Sequence, residues 1–224
     1  IELSCHLDGI SVHLLAYLPD PEHPGLRGVM DRVRDDRIDR LRTMVALIAE
    51  DHPLTWDDVE AQVGSTDCVA ATVGRPHLAY ALVARGVVAD RDEAFATLLH
   101  RASPYYVPHY APEGIWLVET VVAAGGVPVI AHPRAEQRGR VLDDAQLASL
   151  AGAGMAGLEV DHRDHTPSDR AALRDLAARL GVFTTGSSDY HGTGKKNRLG
   201  ENVTAPEVLE RILELGRGAR ARLP

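Results

Sequence analysis

The chain has 224 residues, 45% of them hydrophobic and 25% charged, enough to bury a core in one domain or in one domain carrying an insertion. A formal net charge of -8 at pH 7 argues against a bulk electrostatic grip on long nucleic acid, but leaves room for a locally basic pocket. Cys5 and Cys68 are the only cysteines and no C-x-x-C occurs, so thiolate zinc and disulfide frameworks are not expected, and a reducing compartment, the cytoplasm, is.

The chain opens on Ile rather than Met. Ile1-Glu2-Leu3-Ser4 reads as the last part of a strand, the pattern of an N-terminally truncated chain. Ile10, Val12, Leu14 and Ala16 alternate with Ser11, His13, Leu15 and Tyr17, which predicts a strand over Ile10 to Leu18 that Pro19, Pro21 and Pro24 then break. Val33, Ile38, Leu41, Val45 and Ile48 recur at helical spacing. Thr55 with Asp58 resembles a capping box for a short helix stopped by Gly64. Pro76 starts a third helix closed by Gly86, and Asp90 with Glu93 caps a fourth. Helices without an interleaved strand predict a helical insertion over 23–110, flanked by an α/β domain over 1–22 and 111–216, with a basic tail over 217–224.

After Tyr110 the pattern alternates. A helix from Glu113 ends at Gly125-Gly126 and leads to a strand over Val127 to Ala131. A helix from Asp144 to Ala151 precedes a strand at Leu158 to Val160. Thr166-Pro167-Ser168-Asp169 starts a helix that Gly181 stops, followed by a strand over Val182 to Thr185 and a last helix over Pro206 to Leu215. This rhythm predicts a parallel sheet, and polar residues at successive strand ends favour a β/α barrel over an open sheet. No apolar run reaches the roughly 18 residues of a membrane span, and no signal peptide is legible.

The chemistry lies at those strand ends. Ala131-His132-Pro133 and Ser188-Asp189-Tyr190-His191 each follow a short β-branched run, where imidazoles and carboxylates suit a metal site and not a core. Asp189 and His191, two apart, share a face. A capping Asp with a surface His is the alternative. Glu2 suits a carboxylate shared by two cations, or is simply solvated. His13 is a further ligand candidate or a satisfied core histidine. Arg75-Pro76-His77 sits at a helix N-terminus, where amide groups, the helix dipole and a guanidinium fork favour an anion, or it marks an ordinary proline-started helix. Lys195, Lys196 and Arg198 neutralise a phosphate or form a solvated loop. Glu159, Asp161, His162 and His165 cluster after another strand and rank as pocket rim. The Arg32–Arg42 stretch is balanced by Asp31, Asp35, Asp36 and Asp39 and reads as a solvated face. Gly186-Ser187-Ser188-Asp189-Tyr190 lacks the second glycine of a nucleophile elbow, and Gly194-Lys195-Lys196 lacks the rest of a phosphate loop.

Ile1-Glu2-Leu3-Ser4, Val12-His13-Leu14-Leu15, Gly74-Arg75-Pro76-His77-Leu78-Ala79, Tyr106-Val107-Pro108, Ala131-His132-Pro133 and Ser188-Asp189-Tyr190-His191-Gly192 occur in that order. Together they resemble the polymerase and histidinol phosphatase (PHP) family, in its stand-alone branch with a helical insertion. That branch includes 3′,5′-nucleoside bisphosphate phosphatases and a 5′→3′ exoribonuclease activity. The resemblance implies a seven-stranded β/α barrel, here missing its first strands, with two to three divalent metals (Mn, Fe or Zn). Glu2 would be the bridging carboxylate, His13 and His132 would complete the second metal, Asp189 would bind the first and His191 the third. Arg75 and His77 would hold the substrate phosphate. The family's first His-x-His, the Asp after it and the Asp-His-Asp motif precede the glutamate and are not in this chain.

The function so implied is hydrolysis of phosphomonoesters of nucleotides or short oligonucleotides by metal-activated hydroxide. Lys195 and Arg198 would help Arg75 orient the phosphate. The partner expected is a small phosphorylated substrate, with no long nucleic acid and no membrane; oligomeric state stays open. The alternatives are a non-catalytic metal-binding PHP module and another metallohydrolase, such as an amidohydrolase.

Overall fold

A computed structural model describes residues 1–63, 73–190 and 197–221. Two compact units emerge, Ile1–Gly28 with the chain from Ala111 onward, and Val29–Tyr110.

The first unit is built on a five-stranded sheet in the order β1 to β5: Glu2–Leu7, Ile10–Tyr17, Val127–Ala131, Gly157–Asp161 and Phe183–Gly186. β1, β2 and β3 run antiparallel to their neighbours, whereas β3, β4 and β5 are parallel. The parallel part is the segment where helices alternate with strands. The antiparallel part begins with a hairpin whose turn residues Asp8 and Gly9 have φ of 50° and 73°, the left-handed pair a tight two-residue connection requires. β1 therefore runs to Leu7 rather than stopping at Ser4, and Glu2 opens this strand instead of ending one. Among the described residues the sheet is not closed; β1 and β5 are its edges.

Side-chain alternation gives the sheet two unlike faces. Leu3, Cys5, Leu7, Ile10, Val12, Leu14 and Ala16 are buried. Ile130 and Leu158, paired across β3 and β4, extend this apolar face. Helix α5 (Gly114–Ala123) packs on β1, β2 and β3, α7 (Pro167–Leu180) on β4 and β5, and α8 (Pro206–Leu215) on β5. α6 (Asp144–Gly152) packs between α5 and α7. The other face carries Glu2, Ser4, His13, Glu159 and Thr185.

Helix starts follow their caps. Thr166 accepts from Asp169 N–H in a complete capping box, and Gly181 closes α7 in the left-handed region at φ 69°. Asp143 and Gln146 form the same box on α6. Glu113 caps α5 by accepting from Ile115 and Trp116 N–H.

The second unit is helical. α1 spans Pro24–Ala49, so the third proline after β2 opens a helix at its first position and does not only end a strand; the division between units falls inside α1. α2 (Trp56–Val63), α3 (Arg75–Ala84) and α4 (Arg91–Ala96) follow. Leu41, Met44, Ile48, Leu54, Val59, Leu78, Leu82, Ala94 and Leu99 form its own core. The expected stop at Gly64 lies outside the described residues.

Candidate metal centre

Three of the expected ligands converge. One ligand atom each of Glu2, His13 and His132 lies within 4.8 Å of the other two. Strand register explains the meeting. Glu2 pairs with Leu15 and His13 with Ser4, so Glu2 and His13 are diagonal neighbours on one face. His13 also pairs with Ala131, which sets His132 just beyond it at the end of β3. Glu2 Oε1 is 2.8 Å from His13 Nδ1 and 3.9 Å from His132 Nε2, and the two imidazole rings meet edge-on at 5.1 Å.

His13 Nδ1 approaches Glu2 at ion-pair distance yet is buried without a hydrogen bond of proper geometry. A buried ring nitrogen beside a carboxylate and a second imidazole is a donor set that fits a divalent cation. The two imidazoles hold the Glu2 carboxyl far below the usual carboxylate range, His13 most strongly. Burial pushes the pKa of His132 down, so its ring is available as a neutral ligand.

The backbone at His132 is strained, with φ +32° on a residue that carries a Cβ. The restraint comes from β4. The Glu159 carboxylate, 2% exposed, accepts the His132 amide at 2.9 Å. Burial first, then Asp189 and Glu2, raise the Glu159 pKa to about 7 against the pull of that hydrogen bond. The carbonyl of His132 accepts from Ala135, completing the turn.

Asp189 is also left-handed, at φ +48°. Its amide donates to Ser187 Oγ, and its carbonyl accepts from Asn197 Nδ2 at 3.2 Å. Asp189 does not join the three-residue cluster directly. Its Oδ2 accepts from Arg138 at 2.7 Å, and the same guanidinium lies 3.1 Å from His132 Nε2 and bonds Asp164. His162 Nε2 is 3.7 Å from Asp189 Oδ2. His162 Nδ1 accepts from the Asp164 amide, so the neutral ring carries its proton on Nε2, facing Asp189. Burial, followed by His132, lowers the His162 pKa to about 4. His165 is committed at both nitrogens, to the Val160 carbonyl and the Arg134 amide, and serves as a brace.

The structure therefore moves Glu159, His162 and His165 from the rim into the buried surround of the centre. They are the strand-end cluster of β4, and their signal is the same as that of His132 and Asp189. Arg138, in a short 3-10 turn at Glu136–Arg138, went unrecognised; only its place six residues after His132 in an arginine-rich run marks it.

His191 and Lys195 lie outside the described residues. Arg198 is exposed in its loop, where its carbonyl accepts from Glu201, and it takes no part in the contacts above. Arg75 and His77 belong to the helical unit. His77 is buried, and its Nδ1 accepts from Gly74 N–H, closing the N-terminus of α3. Arg75 lies over the Phe95 ring at 5.7 Å and donates weakly to the Leu99 carbonyl at 3.5 Å.

No family model matches the chain. A solved structure from Bifidobacterium adolescentis, described as a metal-dependent phosphoesterase, is 41% identical with a TM-score of 0.85, over 96% of this chain and 75% of that one. An amidohydrolase of Chromobacterium violaceum, solved with bound sulfate and no metal, is 30% identical with a TM-score of 0.67, over 91% of this chain and 69% of that one. A 3′,5′-nucleoside bisphosphate phosphatase of the same organism is 28% identical over 220 residues, 95% of this chain and 74% of that protein. On these likenesses the chain belongs to the PHP-type metal-dependent phosphoesterases, hydrolases of phosphate esters.

Proposed function

We propose that this phosphoesterase acts on phosphomonoesters of nucleotides or short oligonucleotides, 3′,5′-nucleoside bisphosphates among them. The observation that carries the reading is the convergence of Glu2, His13 and His132 within 4.8 Å on the polar face of the sheet. The bisphosphate phosphatase relative, matched along most of both chains, supports the substrate class, and sulfate bound to the Chromobacterium structure is a tetrahedral anion like phosphate. We read the five strands as part of a PHP-type seven-stranded barrel and residues 29–110 as its helical insertion. The cytoplasm is the compartment assigned, in keeping with Cys5 as a buried free thiol; among the described residues no helix is long and apolar enough to cross a membrane.

Glu2, His13, His132 and Asp189 would hold two to three divalent metals of the Mn, Fe or Zn type, with His191 as a further ligand. Such ions supply positive charge against phosphoryl oxygens and acidify a water molecule. The chain's own residues do the positioning. Glu159 fixes the amide of His132 and so the direction of its ring. Arg138 sets Asp189 and Asp164 around one guanidinium. Arg75 and His77 of the helical unit are candidates for contacting a substrate phosphate, as are Lys195 and Arg198 of the sheet unit.

The test is hydrolysis of 3′-phosphoadenosine 5′-phosphate and of a short 5′-phosphorylated oligonucleotide by manganese-loaded protein. Phosphate release from either supports the reading. Full manganese occupancy without release from either would show a non-catalytic metal-binding module.

A further inference from the structure

Asp189 is held by its backbone as well as by its carboxylate. Its left-handed φ of +48° is unfavourable for a residue with a Cβ and persists only where the surroundings enforce it. Arg138 acts on the side chain, at Oδ2. The backbone is gripped by a different residue. Asn197 Nδ2 donates to the Ser188 carbonyl at 2.7 Å and to the Asp189 carbonyl at 3.2 Å. Extended backbone turns successive carbonyls to opposite sides, so one amide group spans both only where the chain bends. The Asp189 N–H donates to Ser187 Oγ at 3.1 Å, so the peptide groups on both sides of the Asp189 Cα are committed.

Asn197 is buried, and both ends of its side-chain amide are used. Its Oδ1 accepts from Arg163 Nη1 at 2.9 Å. A guanidinium only donates and a carbonyl only accepts, so the two sets of partners fix which end of the amide faces which. The Arg163 Nε lies 3.6 Å from Glu201 Oε1, which steadies the guanidinium from its other side. Arg163 stands between His162 and Asp164, just past the end of β4. His162 Nε2 is 3.7 Å from Asp189 Oδ2, and Asp164 shares the Arg138 guanidinium with Asp189. The β4 strand end therefore reaches Asp189 by two routes, at the carboxylate through His162 and at the backbone through Arg163 and Asn197.

We propose that Asn197, anchored by Arg163, is a positioning residue for Asp189, fixing the backbone from which that carboxylate reaches a metal. The proposal rests on the reading of Asp189 as a metal ligand. Ligand distances are held to a few tenths of an ångström, and a change in the Asp189 backbone angles displaces its carboxylate by more than that. Asn197 acts only through Asp189, and Arg163 only through Asn197.

Manganese calorimetry on the full chain tests this. Asn197→Asp keeps the shape of the side chain and an oxygen for Arg163, but has no N–H for the Ser188 and Asp189 carbonyls. Manganese affinity should fall by roughly tenfold or more, the loss expected when a partner behind a metal ligand is removed. Arg163→Gln loosens only the anchor and should weaken binding less, in the same direction. Arg163 is exposed, so this variant keeps the test valid if Asn197→Asp does not fold. Coupling to Asp189 separates positioning from general support of the fold. In an Asp189→Ala background Glu2, His13 and His132 remain to bind manganese, and neither substitution should weaken it further. Unchanged affinity in Asn197→Asp, or in Arg163→Gln where Asn197→Asp does not fold, would overturn the positioning role. So would an equal loss with and without Asp189. Unchanged affinity in Asp189→Ala alone would sink the ligand reading, and the positioning role with it.

Discussion

His132 shows how much is asked of one residue at this centre. It holds a left-handed backbone at φ +32°, a conformation that costs a residue with a Cβ roughly 1–3 kcal/mol. The buried Glu159 carboxylate is the restraint, since it accepts from the His132 amide. Glu159→Gln keeps an acceptor at that place and should leave both stability and manganese stoichiometry close to wild type. Glu159→Leu strands the amide and should cost about 1–3 kcal/mol in urea denaturation of the metal-stripped protein, together with weaker manganese binding. Equal manganese affinity in both variants would show that Glu159 does not position His132. His132→Ala removes one of the three proposed ligands. It should lower bound manganese per chain and cut phosphomonoester turnover by orders of magnitude, as read by metal analysis and phosphate release. His132 and Asp189 stand out in the sequence because polar residues directly after β-branched runs have no place in a core. Glu159 and Arg138 were not, because their roles depend on the β4 register and on a three-residue turn, neither of which has a periodic signal in the chain.

At the scale of elements, local chemistry predicted the helices well. The Thr166–Asp169 box is reciprocal, with the Thr166 hydroxyl and amide both donating to the Asp169 carboxylate. Those donors hold the Asp169 carboxyl below its ordinary value, the hydroxyl most strongly. A carboxylate depressed in the folded state contributes stability that is complete above its unfolded pKa and is lost as pH falls through the folded one. Asp169→Asn should therefore flatten the acid limb of the stability curve relative to wild type, and a parallel fall in both proteins would refute this. Thr166→Ala should cost about 1 kcal/mol in the same denaturation assay. The first hairpin was harder to read. Asp8-Gly9 is a strong turn signal, yet the strand before it was cut at Ser4, where the first polar residue after Leu3 breaks the apolar run. The pairs Leu3, Cys5, Leu7 and Ile10, Val12, Leu14 in fact alternate on both sides of the turn, burying one face while Glu2 and His13 share the other. A period of two is weak over so few residues, and only the pairing register decides which face the glutamate joins.

For the whole molecule, the informative feature is that two sets of buried side chains do two kinds of work. The sheet unit buries Leu14, Ile130 and Leu158 behind a polar face that gathers the candidate ligands. The helical unit buries Leu41, Met44, Leu78 and Leu82 around helices that carry Arg40 and Arg75. That separation was visible in the chain as a change of period, from helix after helix to strand alternating with helix, while the mixed direction of the sheet was not. Rhythm reports only the parallel crossovers, and the antiparallel strands joined by a two-residue turn leave no helix between them. Separate cores imply separable stability. Leu78 is fully buried, and Leu78→Ala should destabilise the helical unit by about 2–5 kcal/mol through lost contacts and a residual cavity. In a urea series on the full metal-stripped chain, Trp56 fluorescence, isolated by Trp116→Phe, reports the helical core, and Trp116 fluorescence, isolated by Trp56→Phe, reports α5 on the sheet. Adding Leu78→Ala should lower the Trp56 midpoint and leave the Trp116 midpoint near its starting value. If both midpoints shift together, the cores unfold as one cooperative body.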